Sequence, residues 1–175
     1  MIDPLATVAD LLARAHVPYA VIGAHAVNVW LEPRFTADVD VAVQATSAEM
    51  QRLKQLLAAS GYMVTREHGA GQPSGPDFVR FSSADGSLVL ELQTAKTALQ
   101  REVIRRAAAG ASGPRIATVE DLIVMKLIAN RPKDRADLDG LVRLPAVDWP
   151  YVERWAAEWD VVAVLRAVRA EAARA

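Results

Sequence analysis

Two aspartates open the segment Asp38-Val39-Asp40-Val41-Ala42-Val43. Its β-branched residues and its alternation of acid with valine predict a strand. Successive side chains on a strand point to opposite faces, so the two carboxylates share one side, about 7 Å apart along the chain. Like charges that close repel, and each raises the other's affinity for a proton. A cation between them removes that cost, and hard carboxylate oxygens suit Mg²⁺. A solvated strand edge is the plainer alternative, but aspartate is depleted in strands. A third acid, Glu91, stands alone in the apolar run Leu88-Val89-Leu90-Glu91-Leu92-Gln93. It either faces water on an open sheet or joins the two aspartates, since three carboxylates form an oxygen-rich cage for one or two divalent ions.

The flanking elements would position these groups. Tyr19–Ile22 reads as a short apolar strand, Gly23 as a turn and Ala24–Leu31 as a helix. Small residues at Gly23 and Ala24 let a ligand approach the helix N-terminus, where backbone N–H groups and the helix dipole attract phosphate; a tight turn alone would use the same residues. Arg34, in the loop 32–37, would neutralise a phosphate, pair with a carboxylate or simply be solvated.

The rest of the chain reads as α and β in mixture. Pro4–Ala15 is an amphipathic helix with Asp3 as its N-cap. Ser47 caps a helix that buries Met50, Leu53, Leu56 and Leu57 and ends at Gly61. Tyr62–Glu67 is a strand and 68–76 a Gly- and Pro-rich loop. Asp77–Ser82 and Leu88–Gln93 form a hairpin around Asp85-Gly86. Thr97–Ala109 reads as a helix bearing Arg101, Arg105 and Arg106, 110–114 as a loop, and Arg115–Ala117 as a short edge strand. Thr118 caps the helix Val119–Asn130, with Asp121 in the place of a capping-box acid. Lys126, the one cation within that helix's apolar run, either snorkels to the surface or reaches toward phosphate. Pro132 starts a helix with Asp134 in its first turn and Asp137 on the same face. That pair is either a capped, solvated helix start or part of a cleft. Trp149–Arg174 holds two more helices, whose tryptophans 149, 155 and 159 suggest core or interface packing.

Composition narrows the class. The 175 residues are 52% hydrophobic and 23% charged, which fits a globular chain with a substantial core. The formal net charge is −1, so nucleic-acid binding would need a local basic patch. Cysteine is absent, which excludes disulfides, thiolate metal sites and thiol nucleophiles and fits a cytoplasmic setting. No apolar run approaches the roughly 20 residues of a membrane span, and the N-terminus lacks the pattern of a signal peptide.

Gly23-Ala24, then Arg34-x-Thr36-x-Asp38-x-Asp40 on a strand, then an acid on a later strand, resembles the DNA polymerase β-like nucleotidyltransferase superfamily. Glu120–Leu127 followed by Arg131-Pro132-Lys133-Asp134-Arg135-Ala136-Asp137-Leu138 resembles the second signature of its bacterial minimal, abortive-infection-type branch, which includes toxins of toxin–antitoxin pairs. The likeness spans roughly Tyr19 to Leu144. It implies an α+β nucleotidyltransferase fold, a mixed sheet of about five strands with a C-terminal helical subdomain. The expected division is a catalytic core at 1–110 and a helical subdomain at 111–175 packed on it. By the same resemblance Asp38, Asp40 and Glu91 are the catalytic acids and the ligands of two Mg²⁺ ions, and Gly23, Ala24, Arg34, Thr36, Lys126, Asp134 and Asp137 line the nucleotide site. An NTP is then the substrate, tRNA, a protein or an antibiotic the acceptor, an antitoxin protein a partner, and the C-terminal helices a homodimer contact. Two departures bear on activity. Ala24 stands where a second Gly or Ser is usual and keeps only the backbone N–H. Glu91 stands where Asp is commoner, which leaves open a catalytically weakened binding module of the same fold.

Overall fold

The computed structural model describes residues 4–72, 74–109 and 113–174, with backbone alone at 108 and 109. The expected Asp3 cap, Pro73 of the expected loop and residues 110–112 lie outside the described residues. The chain divides into two compact units. One comprises Met1–His25 and Phe35–Ala117, the other Ala26–Arg34 and Thr118–Ala175. Ala26–Arg34 belongs to the second unit although it precedes most of the first in sequence.

The first unit is built on a mixed sheet. Its strands are β1 (Tyr19–Ile22), β2 (Asp38–Val43), β3 (Tyr62–His68), β4 (Phe78–Ser83), β5 (Val89–Thr94), β6 (Ala108–Ala109) and β7 (Arg115–Ile116), in the order β3-β4-β5-β2-β1-β7-β6. Five strands are of ordinary length, as expected, and two are two-residue additions. β2 runs antiparallel to β1 and parallel to β5. Helices α1 (Pro4–Arg14), α3 (Ser47–Ala59) and α4 (Ala98–Arg106) cover one face: α1 meets α3, α3 meets β3, and α4 meets β1 and β2.

Alternation decides which side chains meet those helices. Val39, Val41, Val79, Phe81, Leu90 and Leu92 are sealed on the helix side, each burial contributing about 1.5–3 kcal/mol. The intervening Asp38, Asp40, Phe78, Arg80, Glu91 and Gln93 occupy the opposite face and are only half-buried. One-sided covering is the usual reason an antiparallel-containing sheet reads apolar-in, polar-out.

Three local readings are corrected. Thr46, not Ser47, is the N-cap of α3: it accepts from the Glu49 N–H, and Glu49 accepts in return from the Thr46 N–H at 2.7 Å. The helix begun after Thr97 stops at Arg106 rather than 109, because Ala108–Ala109 pair with β7; a tertiary strand contact overrides the helical propensity of alanine. β7 is therefore an inner strand between β1 and β6, not an edge.

The second unit holds α5 (Val119–Ala129), α6 (Pro132–Leu141), α7 (Trp149–Glu158) and α8 (Val162–Ala172), plus Ala26–Arg34, which carries most of α2 (Gly23–Trp30). α5 packs on α6 and α7, and α8 on both of those. Asn130, in the left-handed conformation that asparagine tolerates, closes α5. Gly140 of α6 makes room for Leu31: a Cβ there would lie 2.6 Å from Leu31 Cδ1. Trp155 is buried, and Trp149 packs its ring under the Arg169 guanidinium, 4.1 Å from its centroid. No described helix is long and apolar enough to cross a membrane.

Candidate functional site

β2 places Asp38 and Asp40 on the open face of the first unit, flanking buried Val39. The antiparallel register sets Asp40 opposite Ile22, the last residue of β1, so its side chain meets the start of α2. Gly23 sits there with φ +65°, and a Cβ on it would lie 2.1 Å from Asp40 Oδ2 and 2.8 Å from Asp40 Cβ. Glycine is thus required twice, by the left-handed backbone and by the aspartate on top of it. The result is a carboxylate at a helix N-terminus, where the dipole favours negative charge.

The parallel register of β2 and β5 sets Glu91 directly beside Asp40, on the same face. The antiparallel register of β4 and β5 then sets Arg80 beside Glu91. The Arg80 guanidinium donates to Asp38 Oδ2 at 3.3 Å and lies 3.9 Å from Glu91 Oε2. It thus spans two of the three acids named from the sequence. Gln93 donates to Glu91 Oε1 at 3.4 Å. Thr36 donates to the Asp38 carbonyl, also at 3.4 Å, and so steadies the entry to β2.

Four other expected site residues lie together in the second unit. Lys126 does not snorkel; it is buried and donates to Asp137 at 2.7 Å and Asp134 at 3.3 Å. Arg34 donates to both Asp137 carboxylate oxygens, at 3.0 and 3.2 Å. Asn28 brackets the Arg34 backbone at both N–H and carbonyl, which aims that side chain. Arg131 donates through its backbone N–H and its Nε to Asp134. Burial alone would push the Asp134 carboxyl up, but the Arg131 hydrogen bonds and the Lys126 charge outweigh it and hold it below the usual range. Lys126, one turn before the end of α5, therefore ties α5 to α6, and the two acids that share a face of α6 are its partners.

No protein-family model matches the sequence, and no curated protein does. Solved structures resemble the chain closely enough to compare. An antigenic nucleotidyltransferase-like protein from Paracoccidioides brasiliensis aligns over 97% of this chain and 88% of its own at 17% identity, with a TM-score of 0.63. The chain has the nucleotidyltransferase fold. The lincosamide antibiotic adenylyltransferase LnuA, in its lincomycin-bound form, aligns over 78% of this chain and 93% of its own (12% identity, TM-score 0.53). The antibiotic-resistance factor ANT(2'')-Ia aligns over 97% and 93% (16% identity, TM-score 0.51).

The resemblance read from the sequence would call for a divalent metal at the aspartate pair. Asp38 and Asp40 suit one in donor chemistry and placement: both offer hard oxygens from one half-open face, and the missing Cβ of Gly23 leaves the Asp40 carboxylate its space. Among the described residues, no group of three or more His, Asp or Glu side chains is gathered tightly enough to hold an ion. In this geometry Glu91 stands beside the aspartate pair with Arg80 across it. Arg80 is the site residue the sequence reading missed. Its signal was a cation between Val79 and Phe81, on the polar phase of a strand.

Proposed function

We propose that the chain is a Mg²⁺-dependent nucleotidyltransferase that moves an NMP from an NTP to an acceptor hydroxyl on tRNA or a protein, as the toxin of a toxin–antitoxin pair. The observation that carries this reading is the placement of Asp38 and Asp40 on one open strand face, with Asp40 against the glycine that starts α2. The reaction is an in-line displacement. The acceptor oxygen forms a bond to the α-phosphorus, the bond from that phosphorus to the oxygen bridging to the β-phosphate breaks, and pyrophosphate leaves. Asp38 and Asp40 would hold the metal, which supplies charge stabilisation to the attacking and leaving oxygens. The N–H groups of Gly23 and Ala24 bind phosphate at the helix N-terminus. Glu91 receives the proton of the acceptor hydroxyl at its carboxylate. A second reading, an antibiotic hydroxyl as acceptor, is favoured by LnuA and ANT(2'')-Ia among the structural neighbours.

The test incubates the protein with Mg²⁺ and each α-labelled NTP, against total tRNA, cell protein and a panel of lincosamides and aminoglycosides in separate reactions. Label entering tRNA or protein, and lost in Asp38→Asn/Asp40→Asn, supports the first reading. Label entering only an antibiotic selects the second. No transfer in any reaction, with nucleotide affinity unchanged in the double variant, overturns both.

A further inference from the structure

Arg80 has a consequence for the order in which ligands enter the site, and the inference rests on the metal reading above. Two strand registers and one spacing along a strand fix its position. Arg80 faces Glu91 across β4 and β5, Glu91 faces Asp40 across β5 and β2, and Asp38 lies two residues along β2 on the same face. A guanidinium is planar, permanently charged and able to span two carboxylates at once. Here it does so, at 3.3 Å from Asp38 and 3.9 Å from Glu91, with about a third of its side chain exposed. The strands on either side make this a directed arrangement. Arg80 is held between buried Val79 and Phe81, so its side chain has only the open face to occupy.

A divalent ion and this guanidinium compete for the same oxygens. Asp38 cannot give its full charge to a metal while it accepts from Arg80. Displaced Arg80 needs another anion on the same face, and a triphosphate arriving at the start of α2 supplies one. We propose that Arg80 is the resident counter-cation of Asp38 and Glu91 and surrenders them only to a metal that arrives with a nucleotide. The site then takes metal and triphosphate together instead of metal first. In this role Arg80 is a positioning residue that sets ligand order.

The experiment measures Mn²⁺ binding by the paramagnetic resonance signal of the free ion, with Mn²⁺ alone and with a non-hydrolysable α,β-methylene analogue of each NTP. Wild type is expected to bind Mn²⁺ weakly alone and markedly more tightly with one of the analogues. Arg80→Gln is expected to tighten Mn²⁺ binding without nucleotide by about tenfold or more, the scale of a unit charge a few ångströms away in a partly hydrated site. The same variant should shrink the gain given by the analogue. Arg80→Lys, which keeps the charge but not the span, should fall between. Arg66→Gln is the control for net charge. Arg66 faces Arg80 across β3 and β4, with its guanidinium 5.6 Å from the Phe78 ring centroid, and its loss should change Mn²⁺ affinity less than about twofold. Unchanged metal affinity in Arg80→Gln overturns the proposal, as does equal tightening in Arg66→Gln. Adding Asp38→Asn/Asp40→Asn to Arg80→Gln should abolish the gain. Tightening that survives those changes places the ion elsewhere and sinks the underlying metal reading instead.

Discussion

Gly23→Ala is the most exacting perturbation of the site that does not touch a charge. The added methyl group meets three atoms of Asp40, at 2.1 Å (Oδ2), 2.8 Å (Cβ) and 2.8 Å (Cγ). A carboxylate tip could swing aside, but Cβ is fixed by the strand, so β1 and β2 must separate locally. Overpacking of this kind costs about 1–3 kcal/mol. The backbone at φ +65° adds about 1–2 kcal/mol for an L residue. The expected loss is therefore about 2–5 kcal/mol, or roughly 5–15 °C in Tm for a chain of this size. Urea unfolding followed by far-UV circular dichroism measures it. The decisive comparison is a double-mutant cycle with Asp40→Gly, which removes all three clashing atoms. In that background Gly23→Ala should retain only the backbone cost, leaving a coupling of about 1–3 kcal/mol. If Gly23→Ala costs the same with and without the Asp40 side chain, the claim that the aspartate dictates the glycine is refuted.

Other outcomes follow from the second unit. Lys126→Met leaves the buried Asp134 and Asp137 without their shared cation; a loss of about 3 kcal/mol is expected in thermal or urea unfolding. Asp134 titrates below the usual aspartate range when folded, so its contribution is present above the unfolded pKa of about 3.9 and is lost as pH falls through the folded value. Asp134→Asn should accordingly flatten the acid limb of a stability–pH curve measured from pH 6 to pH 2. Tyr151 donates to buried Asp121 at 2.5 Å, and Asp121 also accepts from Thr118 at 2.9 Å. Tyr151→Phe should cost about 1–3 kcal/mol by leaving a carboxylate oxygen short of a donor, read as a lower urea midpoint with unchanged slope.

The strands nearest the carboxylates were legible because their patterns are local. Tyr19–Ile22 is a short apolar run buried at every position, and Asp38–Val43 alternates until its end passes into the interior. Both match their expected bounds to the residue. The cap of α3 was legible too but misread: Glu49 lies three residues after Thr46, the spacing of a capping box, whereas Met50 follows Ser47 at that distance. What was hidden depends on register and on distant chain segments. Arg80 is one of three arginines on the described strands, with Arg66 and Arg115, and only the offset of β4 against β5 sets it over Asp38 and Glu91. Lys126 reads as a cation in an apolar helix. That its charge is satisfied by two acids of the next helix requires the angle between those helices, which no periodicity encodes. The membership of Ala26–Arg34 in the second unit is likewise a tertiary fact, sealed by Leu31 against Gly140.

That last feature bears on how the chain is made. A ribosome extrudes Ala26–Arg34 long before Thr118–Ala175, the partners with which it forms a unit. At about 5–20 residues per second the wait is on the order of several seconds. Meanwhile Val27 and Leu31 have no native surface to meet, although β1 just before them and β2 just after can already pair. The antiparallel pair of β1 and β2, which carries both aspartates, is thereby free to form early, while completion of the helical unit waits for the helices that follow Thr118. A nascent chain paused before Thr118 would present the strand of Asp38 and Asp40 while the segment that follows Gly23 is still open to chaperones.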